Sequence, residues 1–318
     1  QVRFQIFFPV VFQFIALLHS SRNEISIFRY QFFLVVLNMK CPVCESIIEF
    51  SQNDSVCAKG HSFSLRNGVY QIVSPEFASV LHPFVESLED FRKESYNNID
   101  PKTFKNLPHV DYDRRLWKLR EIDLKLVETY IQKSYQSALD IGAWNGWLTH
   151  HLTQKGLETI AVDYFTHHLD GLGTKQYYSE EWLALQIDLE RLELLDRTFD
   201  LIVINRCLNY FTTPETLVDR LKKLLNPGGT ILILGLTYAR NIEAIKMGLK
   251  ETGETFESKY NIPFMIKEFR GYLLKSDLEA LKKSGVEIHM HKELRVKSIL
   301  GRLFPKRNAY YYGSYIMP

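Results

Sequence analysis

The chain of 318 residues is 46% hydrophobic and 24% charged, a composition typical of globular proteins with room for one large domain and a small module. Its formal net charge is +2, and the first 38 residues carry three arginines against one glutamate, so the remainder is neutral. A neutral body argues against a broad nucleic-acid surface, although a local basic patch is compatible with it.

Residues 1–38 are rich in Phe, Ile, Leu and Val, but Arg3, Gln5, Pro9 and Gln13 interrupt the apolar runs. Neither run reaches the roughly 20 apolar residues needed to cross a bilayer, and the pattern of a signal peptide is imitated only loosely. The first methionine is Met39. We therefore interpret this segment as an upstream extension without a folded role and expect a cytoplasmic protein that has no membrane partner.

A cluster of cysteines follows directly. Two residues separate Cys41 from Cys44, so one tight turn can present both thiolates to one ion, and Cys57 and His61 follow across a short hairpin. Three sulfurs and one imidazole complete a closed tetrahedral shell for zinc, with no position open to a substrate. We predict a structural zinc site in a reducing compartment; the alternative is that the cysteines are small apolar core residues.

The segment around the cysteines predicts a small β module. Alternating apolar residues flank Asn67-Gly68, which is a strong hairpin turn signal. Residues 40–74 resemble the zinc-ribbon modules that precede some methyltransferases, including the rRNA guanine-N1 methyltransferases, and the small methyltransferase-activating ribbons. The resemblance rests on the four ligands, Gly60 and the Asn67-Gly68 turn, and it implies a zinc ribbon over residues 39–74.

Residues 75–133 have helical periodicity. Apolar residues recur at threes and fours in residues 77–88 and again in residues 116–130, where charged residues occupy the opposite face. We expect these helices to pack on the larger domain and to roof its cleft, where Tyr96 and Trp117 would cover a cofactor. Core packing is the alternative for Trp117.

From residue 134 to residue 318, strands and helices alternate, which predicts one large α/β domain with a largely parallel sheet covered on both faces. The candidate strands are residues 138–141, 159–162, 183–187, 201–204, 231–234, 286–291 and 310–316. The last helix has a capping box, with Ser276 as N-cap and Glu279 three residues later, and we expect it to stop at Gly285.

Residues 137–152 have the pattern of a strand, a turn and a helix. Small and apolar residues lead into Asp140, the turn holds Gly142 and Gly146, and apolar residues then recur at helical spacing. Glycine permits positive φ and a close approach of the backbone to a ligand, which the amides of the helix start would face. Taken alone, the stretch is also compatible with an ordinary βα turn.

Polar residues at the ends of the following strands support a cofactor cleft. Asp163 lies 21 residues after the first of these glycines, where a carboxylate can accept both ribose hydroxyls of a nucleoside. Asp188 follows the third strand and can accept from an adenine amino group while Leu189 packs on the ring. Asn205 closes the fourth strand, and Asn-Pro-Gly-Gly at residues 226–229 predicts a turn into the fifth.

Together these elements resemble a class I, seven-strand S-adenosylmethionine-dependent methyltransferase over about residues 113–318. The resemblance implies a doubly wound, mostly parallel seven-strand α/β sheet and direct in-line methyl transfer. In that family the first motif holds the methionine part of the cofactor, and the ends of strands two, three and four hold the ribose, flank the adenine and line the methyl-transfer site. The implied cofactor-binding residues are Asp140, Gly142, Ala143, Trp144, Gly146, Asp163, Tyr164, Asp188, Leu189 and Asn205.

One residue departs from the family pattern. Trp144 stands where the family usually has its middle glycine. We predict that its indole points away from the cleft or caps the cofactor instead of filling the site. No residue is assigned as a catalytic base. The side chains considered for that role are His150, His151, His167, His168, Tyr210 and Tyr238.

The methyl acceptor is predicted from the surroundings of the cleft. The aromatic-rich insertion at residues 237–273 suits a small apolar or phenolic molecule, unless its aromatic side chains merely pack the lid. The first alternative is an RNA base methyltransferase of the rRNA guanine-N1 type, because residues 282–307 are basic and the ribbon resembles that of rRNA enzymes. The second alternative is a non-catalytic binding or activator protein. Trp144 is compatible with it, because this residue replaces a glycine of the family's cofactor-binding motif.

Overall fold

The computed structural model describes residues 38–51, 54–93, 99–237, 242–267, 270–303 and 309–318. The segment that we interpret as an upstream extension lies outside the described residues, apart from its last one. Tyr96, which was predicted to cover the cofactor, lies outside them as well.

The first four strands form a small module in which each strand pairs antiparallel with the next. They are β1 (Ile48–Phe50), β2 (Asp54–Cys57), β3 (Ser62–Arg66) and β4 (Val69–Ile72). Asn67 and Gly68 connect β3 to β4 with φ of 51° and 74°. Two consecutive residues with positive φ are the requirement of the tight hairpin turn that Asn-Gly favours, so this predicted hairpin is confirmed.

Strand β4 connects the module to the main sheet. It pairs in parallel with β7 (Leu183–Ile187), with Val69 opposite Ala184. All four residues of β4 are buried, which suits a strand with a neighbour on each side. Between the two strands, the side chain of Gln71 donates a hydrogen bond of 2.9 Å to Gln186. The module therefore extends the main sheet instead of forming a separate lobe.

The other strands complete the sheet. They are β5 (Ser137–Ile141), β6 (Glu158–Val162), β8 (Phe199–Asn205), β9 (Leu225–Leu236), β10 (Glu287–Met290) and β11 (Tyr311–Ile316). Within the described ranges the sheet has eleven strands in the order β1-β2-β3-β4-β7-β6-β5-β8-β9-β11-β10. The strands from β4 to β9 are parallel, and β11 and β10 are antiparallel to their neighbours. The sheet has more than the seven strands predicted for the α/β domain, because the module adds four strands at the edge of β7.

The predicted turn at residues 226–229 is also wrong. These residues lie inside β9, where the register shifts between the pair Phe199 and Leu225 and the pair Leu201 and Thr230. Gly228 takes a φ of 75° within this irregularity. The Pro-Gly-Gly sequence thus makes a bulge in a continuous strand rather than a turn before a new one.

Seven α-helices cover the sheet in the described residues. They are α1 (Pro75–Arg92), α2 (Arg114–Tyr130), α3 (Trp147–Gln154), α4 (Pro214–Lys222), α5 (Ile242–Tyr260), α6 (Lys275–Lys283) and α7 (Arg295–Leu303). Trp117 of α2 and Trp147 of α3 are buried in the main core on the sheet. Phe84 of α1 and Phe256 of α5 belong to a smaller core, with ring centroids 6.0 Å apart. None of the helices in the described part of the chain has the length and apolar character needed to span a bilayer.

Helix α6 begins two residues earlier than the capping box predicts. Leu274 is its N-cap, and the backbone N–H of Leu274 donates to Oδ2 of Asp277 at 2.7 Å. Ser276 lies inside the first turn, so its predicted role as N-cap is wrong. The carboxylate at the third helical position satisfies the free amide instead. The helix ends two residues before Gly285, whose φ is 81°.

Candidate functional site

The predicted acidic residues meet at the carboxyl edge of the parallel strands. Asp163, after β6, accepts the backbone N–H of Trp144 at Oδ2 (2.7 Å) and that of Phe165 at Oδ1 (3.1 Å). Burial raises the pKa of Asp163, and these two N–H donors act in the opposite direction. Tyr164 donates its hydroxyl to Oδ1 of Asp188 at 3.3 Å. Residues from three strand ends therefore form one connected group.

Asp140 lies fully buried near the end of β5. Its Oδ2 accepts a hydrogen bond of 2.8 Å from the hydroxyl of Thr149, while Oδ1 has no hydrogen-bond partner among the described residues. Burial raises the pKa of Asp140 to about 7, although Thr149 and the nearby Asn205 act to lower it. A buried carboxylate oxygen without a donor is costly. It is therefore suited to receive a cationic group such as the ammonium of a bound amino acid moiety.

The two glycines of the turn are required by the protein itself. Gly142 and Gly146 have φ of 70° and 69°. A Cβ on Gly142 would lie 2.5 Å from Sγ of Cys207, and one on Gly146 would lie 2.7 Å from the ring of Trp182. The sequence predicts that these glycines admit a ligand. In the structure they also provide the left-handed backbone and close packing against neighbouring side chains.

Trp144 has a left-handed backbone conformation and two contacts that hold its indole. Its φ is 51°, its indole stacks on Trp117 with centroids 5.7 Å apart, and its Nε1 donates to Oδ1 of Asp170 at 2.7 Å. Arg92 of α1 pairs with the same carboxylate at 3.0 Å. Trp117 is 2% exposed, which agrees with the alternative that it packs in the core. The position of the Trp144 indole relative to a cofactor stays a prediction.

The strand end after β7 already has protein partners. Lys267 forms an ion pair with Asp188, and its ammonium lies 4.7 Å from the centroid of the Phe77 ring. Phe77 in turn packs edge-on against Tyr164. Leu189 is buried beside this group. The contribution of Lys267 was missed in the sequence, because 79 positions separate it from Asp188 and no motif marks it.

The four predicted metal ligands come together. The Sγ atoms of Cys44 and Cys57 lie 3.6 Å apart, and Nδ1 of His61 lies 3.3 Å from Sγ of Cys57 and 3.7 Å from Sγ of Cys41. All four ligand atoms lie within 4.8 Å of one another. Two sulfurs bound tetrahedrally to one zinc ion are separated by about 3.8 Å. The donor set and the spacing of these atoms are therefore compatible with one tetrahedral zinc ion.

The candidate bases in the described residues have structural contacts. His150 pairs through Nδ1 with Glu180 at 2.6 Å, and Nε2 of His151 lies 2.6 Å from the carbonyl oxygen of Leu107. His167 accepts two backbone N–H groups at Nδ1. Tyr210 is largely exposed, and Tyr238 lies outside the described residues. None of these contacts identifies a catalytic base.

A buried charged group follows Asn205, and no motif in the sequence marked it. Arg206 donates from Nε to Oδ2 of Asp123 at 2.6 Å, and Nε2 of His291 lies 3.6 Å from Oδ1 of the same carboxylate. Asp123 is 1% exposed. Arg120 lies one helical turn before Asp123 on α2. We call these four residues the arginine cluster.

The surroundings of the cleft can be compared with the two predictions for the acceptor. Phe256 and Tyr260 of the insertion pack against each other with ring centroids 4.9 Å apart, which agrees with the alternative that its aromatic side chains serve packing. Phe269 lies outside the described residues. The basic side chains that the structure describes are exposed, while Lys306 and Arg307 lie outside it. The exposed members are Lys282, Lys283, Lys292, Arg295 and Lys297.

Comparison with known proteins identifies a domain in the middle of the chain. Residues 139–233 match the methyltransferase domain family. A ubiquinone biosynthesis O-methyltransferase of Nitrosococcus oceani is 27% identical over 150 residues, which cover 43% of this chain and 63% of that protein. An uncharacterized methyltransferase of Mycobacterium tuberculosis is 27% identical over 128 residues, which cover 40% of this chain and 49% of that protein. The matched region thus spans less than two thirds of these curated relatives.

Solved structures give a weaker likeness. Magnesium protoporphyrin IX methyltransferase from Synechocystis, with bound SAH, is 13% identical with a TM-score of 0.45, covering 76% of this chain and 99% of that one. A plantazolicin methyltransferase in complex with SAH is 16% identical with a TM-score of 0.41, covering 76% and 98%. These TM-scores are too low to support a conclusion about the function of this chain. The domain match and the names of the relatives support an S-adenosylmethionine-dependent methyltransferase, and they favour neither RNA nor a non-catalytic role.

Proposed function

We propose that this chain transfers the methyl group of S-adenosylmethionine to a small-molecule acceptor. The observation that carries the proposal is the group of acidic side chains at the carboxyl edge of β5, β6 and β7, within a segment that matches the methyltransferase domain. Oδ1 of Asp140 is buried there without a donor, and the ammonium of the cofactor's methionine part would supply one.

Each strand end has a separate task in this proposal. Asp140 binds the ammonium, and Asp163 offers its remaining lone pairs to the ribose hydroxyls. When the cofactor binds, Asp188 gives up its ion pair with the ammonium of Lys267 and accepts a hydrogen bond from the adenine amino group. Leu189 packs against the adenine ring. Asn205, at the end of β8, faces the side from which the acceptor approaches. A separation of these tasks over four strands fits the binding of ligands at the carboxyl ends of parallel strands.

The bound cofactor supplies an activated methyl group: attack by the acceptor nucleophile breaks the S–CH₃ bond, forms the new bond to carbon and leaves a neutral thioether. The protein's task is to orient the acceptor and to exclude water. The aromatic core between α1 and α5, which includes Phe84 and Phe256, would hold the lid in place over that reaction. A proton released by the acceptor passes to solvent, since we assign no base.

We also propose that Cys41, Cys44, Cys57 and His61 bind a structural zinc ion. Their ligand atoms have the spacing of a tetrahedral shell, and the shell leaves no coordination position for a substrate. Because β4 pairs with β7, the ion would stabilise the edge of the sheet that carries Asp188.

Titration calorimetry of the zinc-loaded chain with S-adenosylmethionine and S-adenosylhomocysteine tests the cofactor assignment. We expect both ligands to bind, and Asp140→Asn to weaken binding by about 100-fold, because a charge-assisted hydrogen bond is lost. Asp219→Asn, which changes an exposed carboxylate on α4, is the matched control and should leave affinity unchanged. Absence of binding by the wild-type chain would refute the proposal.

A further inference from the structure

The arginine cluster lies at the carboxyl edge of the sheet, beyond β8. Arg206 directly follows β8, and His291 directly follows β10. The end of β10 pairs with Tyr311, which pairs with Leu236 at the end of β9. These residues therefore share one edge with the predicted cofactor site but lie toward β9 and β10, away from the strands that bear Asp163 and Asp188. That is the side left for an acceptor.

Two guanidinium groups of the cluster lie near a single buried carboxylate. This carboxylate is Asp123, which pairs with Arg206 at 2.6 Å. Burial lowers the pKa of His291, so its imidazole is neutral at neutral pH. Arg120 forms no ion pair within the described ranges, and its Nε is buried without a hydrogen-bond partner. The two guanidinium groups thus share one buried carboxylate, Asp123, while Asp113, which also acts to raise the pKa of Arg120, is exposed.

The fold accommodates this arrangement at the expense of favourable backbone geometry. Arg206 has a φ of 58°, a conformation unfavourable for a residue with a side chain. Gly235 of β9 lies beneath it, and a Cβ there would be 2.6 Å from Cγ of Arg206. Burial and the neighbouring Arg206 lower the pKa of Arg120 to about 10. A buried Nε without a hydrogen-bond partner and a strained residue both oppose folding, which points to a ligand that uses them.

We propose that the methyl acceptor carries an oxyanion, a carboxylate or a phosphate, which Arg120 and Arg206 bind at the carboxyl edge of the sheet. The inference rests on the proposed function, because it assigns the substrate class of the same cleft. Guanidinium groups bind both anions through paired N–H donors. Asp123 is a positioning residue in this assignment, because it holds Arg206 in place. The bound anion would neutralise the second guanidinium.

Calorimetric titration of the full chain, zinc-loaded and saturated with S-adenosylhomocysteine, tests this assignment with benzoate, phenyl phosphate and neutral benzyl alcohol. We expect at least one anion to bind about 10-fold more tightly than the alcohol, and the better anion distinguishes carboxylate from phosphate. Arg120→Met should abolish that preference, leave the affinity for S-adenosylhomocysteine unchanged and keep or raise the melting temperature, because a buried donor without a hydrogen-bond partner is removed.

Two further variants sharpen the test. Arg197→Met is the matched control: Arg197 precedes β8 at the opposite edge, pairs with Glu158 at 2.7 Å and should retain the preference. Arg206→Lys keeps a cation beside Asp123 and should weaken anion binding by about 3- to 10-fold. Equal binding of the three probes, or full anion binding by Arg120→Met, would overturn the inference. Retained S-adenosylhomocysteine binding would then show that the proposed function is unaffected.

Discussion

The Cys/His cluster of the β1–β4 module and the arginine cluster lie at opposite parts of one sheet, and they differ in how their residues are distributed along the chain. The four side chains of the Cys/His cluster lie between Cys41 and His61, so two turns bring them together. The arginine cluster joins α2, the end of β8 and the end of β10, from Arg120 to His291. Local spacing therefore defines the first site, and only the complete sheet defines the second.

The position of the Cys/His cluster has a consequence for the stability of the sheet. In the N-terminal module each strand from β1 to β4 pairs with the next, and β4 pairs with β7 of the main sheet. Loss of the Cys/His cluster should therefore lower the stability of distant parts of the sheet. Loss of a residue of the arginine cluster should mainly weaken ligand binding. The following predictions test this asymmetry.

Removal of zinc should have the largest effect. Cys57→Ser, or chelation of the wild-type chain, is expected to lower the melting temperature by about 10 °C or more, because binding of a structural metal contributes directly to folding. Metal analysis and thermal unfolding followed by circular dichroism measure both quantities. Cys207→Ala is the control for cysteine loss and should keep one zinc per chain, since Cys207 lies outside the cluster. An unchanged melting temperature without zinc would show that the ribbon is not coupled to the sheet.

Asp140 should make stability depend on pH. Its pKa in the folded chain, about 7, exceeds the ordinary value of 3.8, so the native state retains a proton that the unfolded state releases. The free energy of unfolding should therefore fall as pH rises from about 4 to about 7, by about 4 kcal/mol at most, and level off above that. Urea unfolding of wild type and Asp140→Asn at pH 5.5 and 7.5 isolates this contribution. Parallel curves for the two proteins would contradict it.

Trp144→Gly tests the departure from the family pattern. The indole's stack on Trp117 and its hydrogen bond to Asp170 would be lost, while the glycine relieves the positive φ. We expect a net loss of about 2 kcal/mol in the free energy of unfolding, and an affinity for S-adenosylhomocysteine within about threefold of wild type. Urea unfolding and calorimetry provide the two values. A gain in affinity of about 10-fold or more would mean that the indole occupies the cofactor position.

Lys267→Met should have the smallest effect. Lys267 is paired with Asp188 and is partly exposed, so the pair contributes little to stability. Freeing the carboxylate for the adenine amino group should tighten S-adenosylhomocysteine binding by about threefold in calorimetry, with no change in melting temperature. Lys246→Met, on the exposed face of α5, should leave the affinity as it is. Weaker binding by Lys267→Met would mean that the lysine supports the cofactor instead of competing with it.

The sequence predicted those features that depend on residues close together in the chain. The ligand set, the Asn67-Gly68 hairpin and the strands leading to Asp140, Asp163 and Asp188 all follow from local spacing and strand periodicity. The domain match agrees with the resemblance to methyltransferases. Each of these features needs only a short segment to be recognised.

The features that the sequence did not predict depend on contacts between distant segments. The pairing of β4 with β7 extends the sheet to eleven strands in the described residues. No residue in β4 indicates which strand it pairs with. The bulge near Gly228 forms because the neighbouring β8 fixes the register on both sides of it. The pairs of Lys267 with Asp188 and of Arg206 with Asp123 bridge long stretches of sequence. Side-chain charge alone does not select between such partners.

The most direct test of the account is a methyl-transfer assay with S-adenosylmethionine labelled in the methyl group. The zinc-loaded chain is incubated in parallel with small-molecule, protein and total RNA extracts. We predict label in the small-molecule fraction, retained on anion exchange, and its loss with Asp140→Asn. Label confined to RNA, or no label in any fraction despite bound cofactor, would contradict the account.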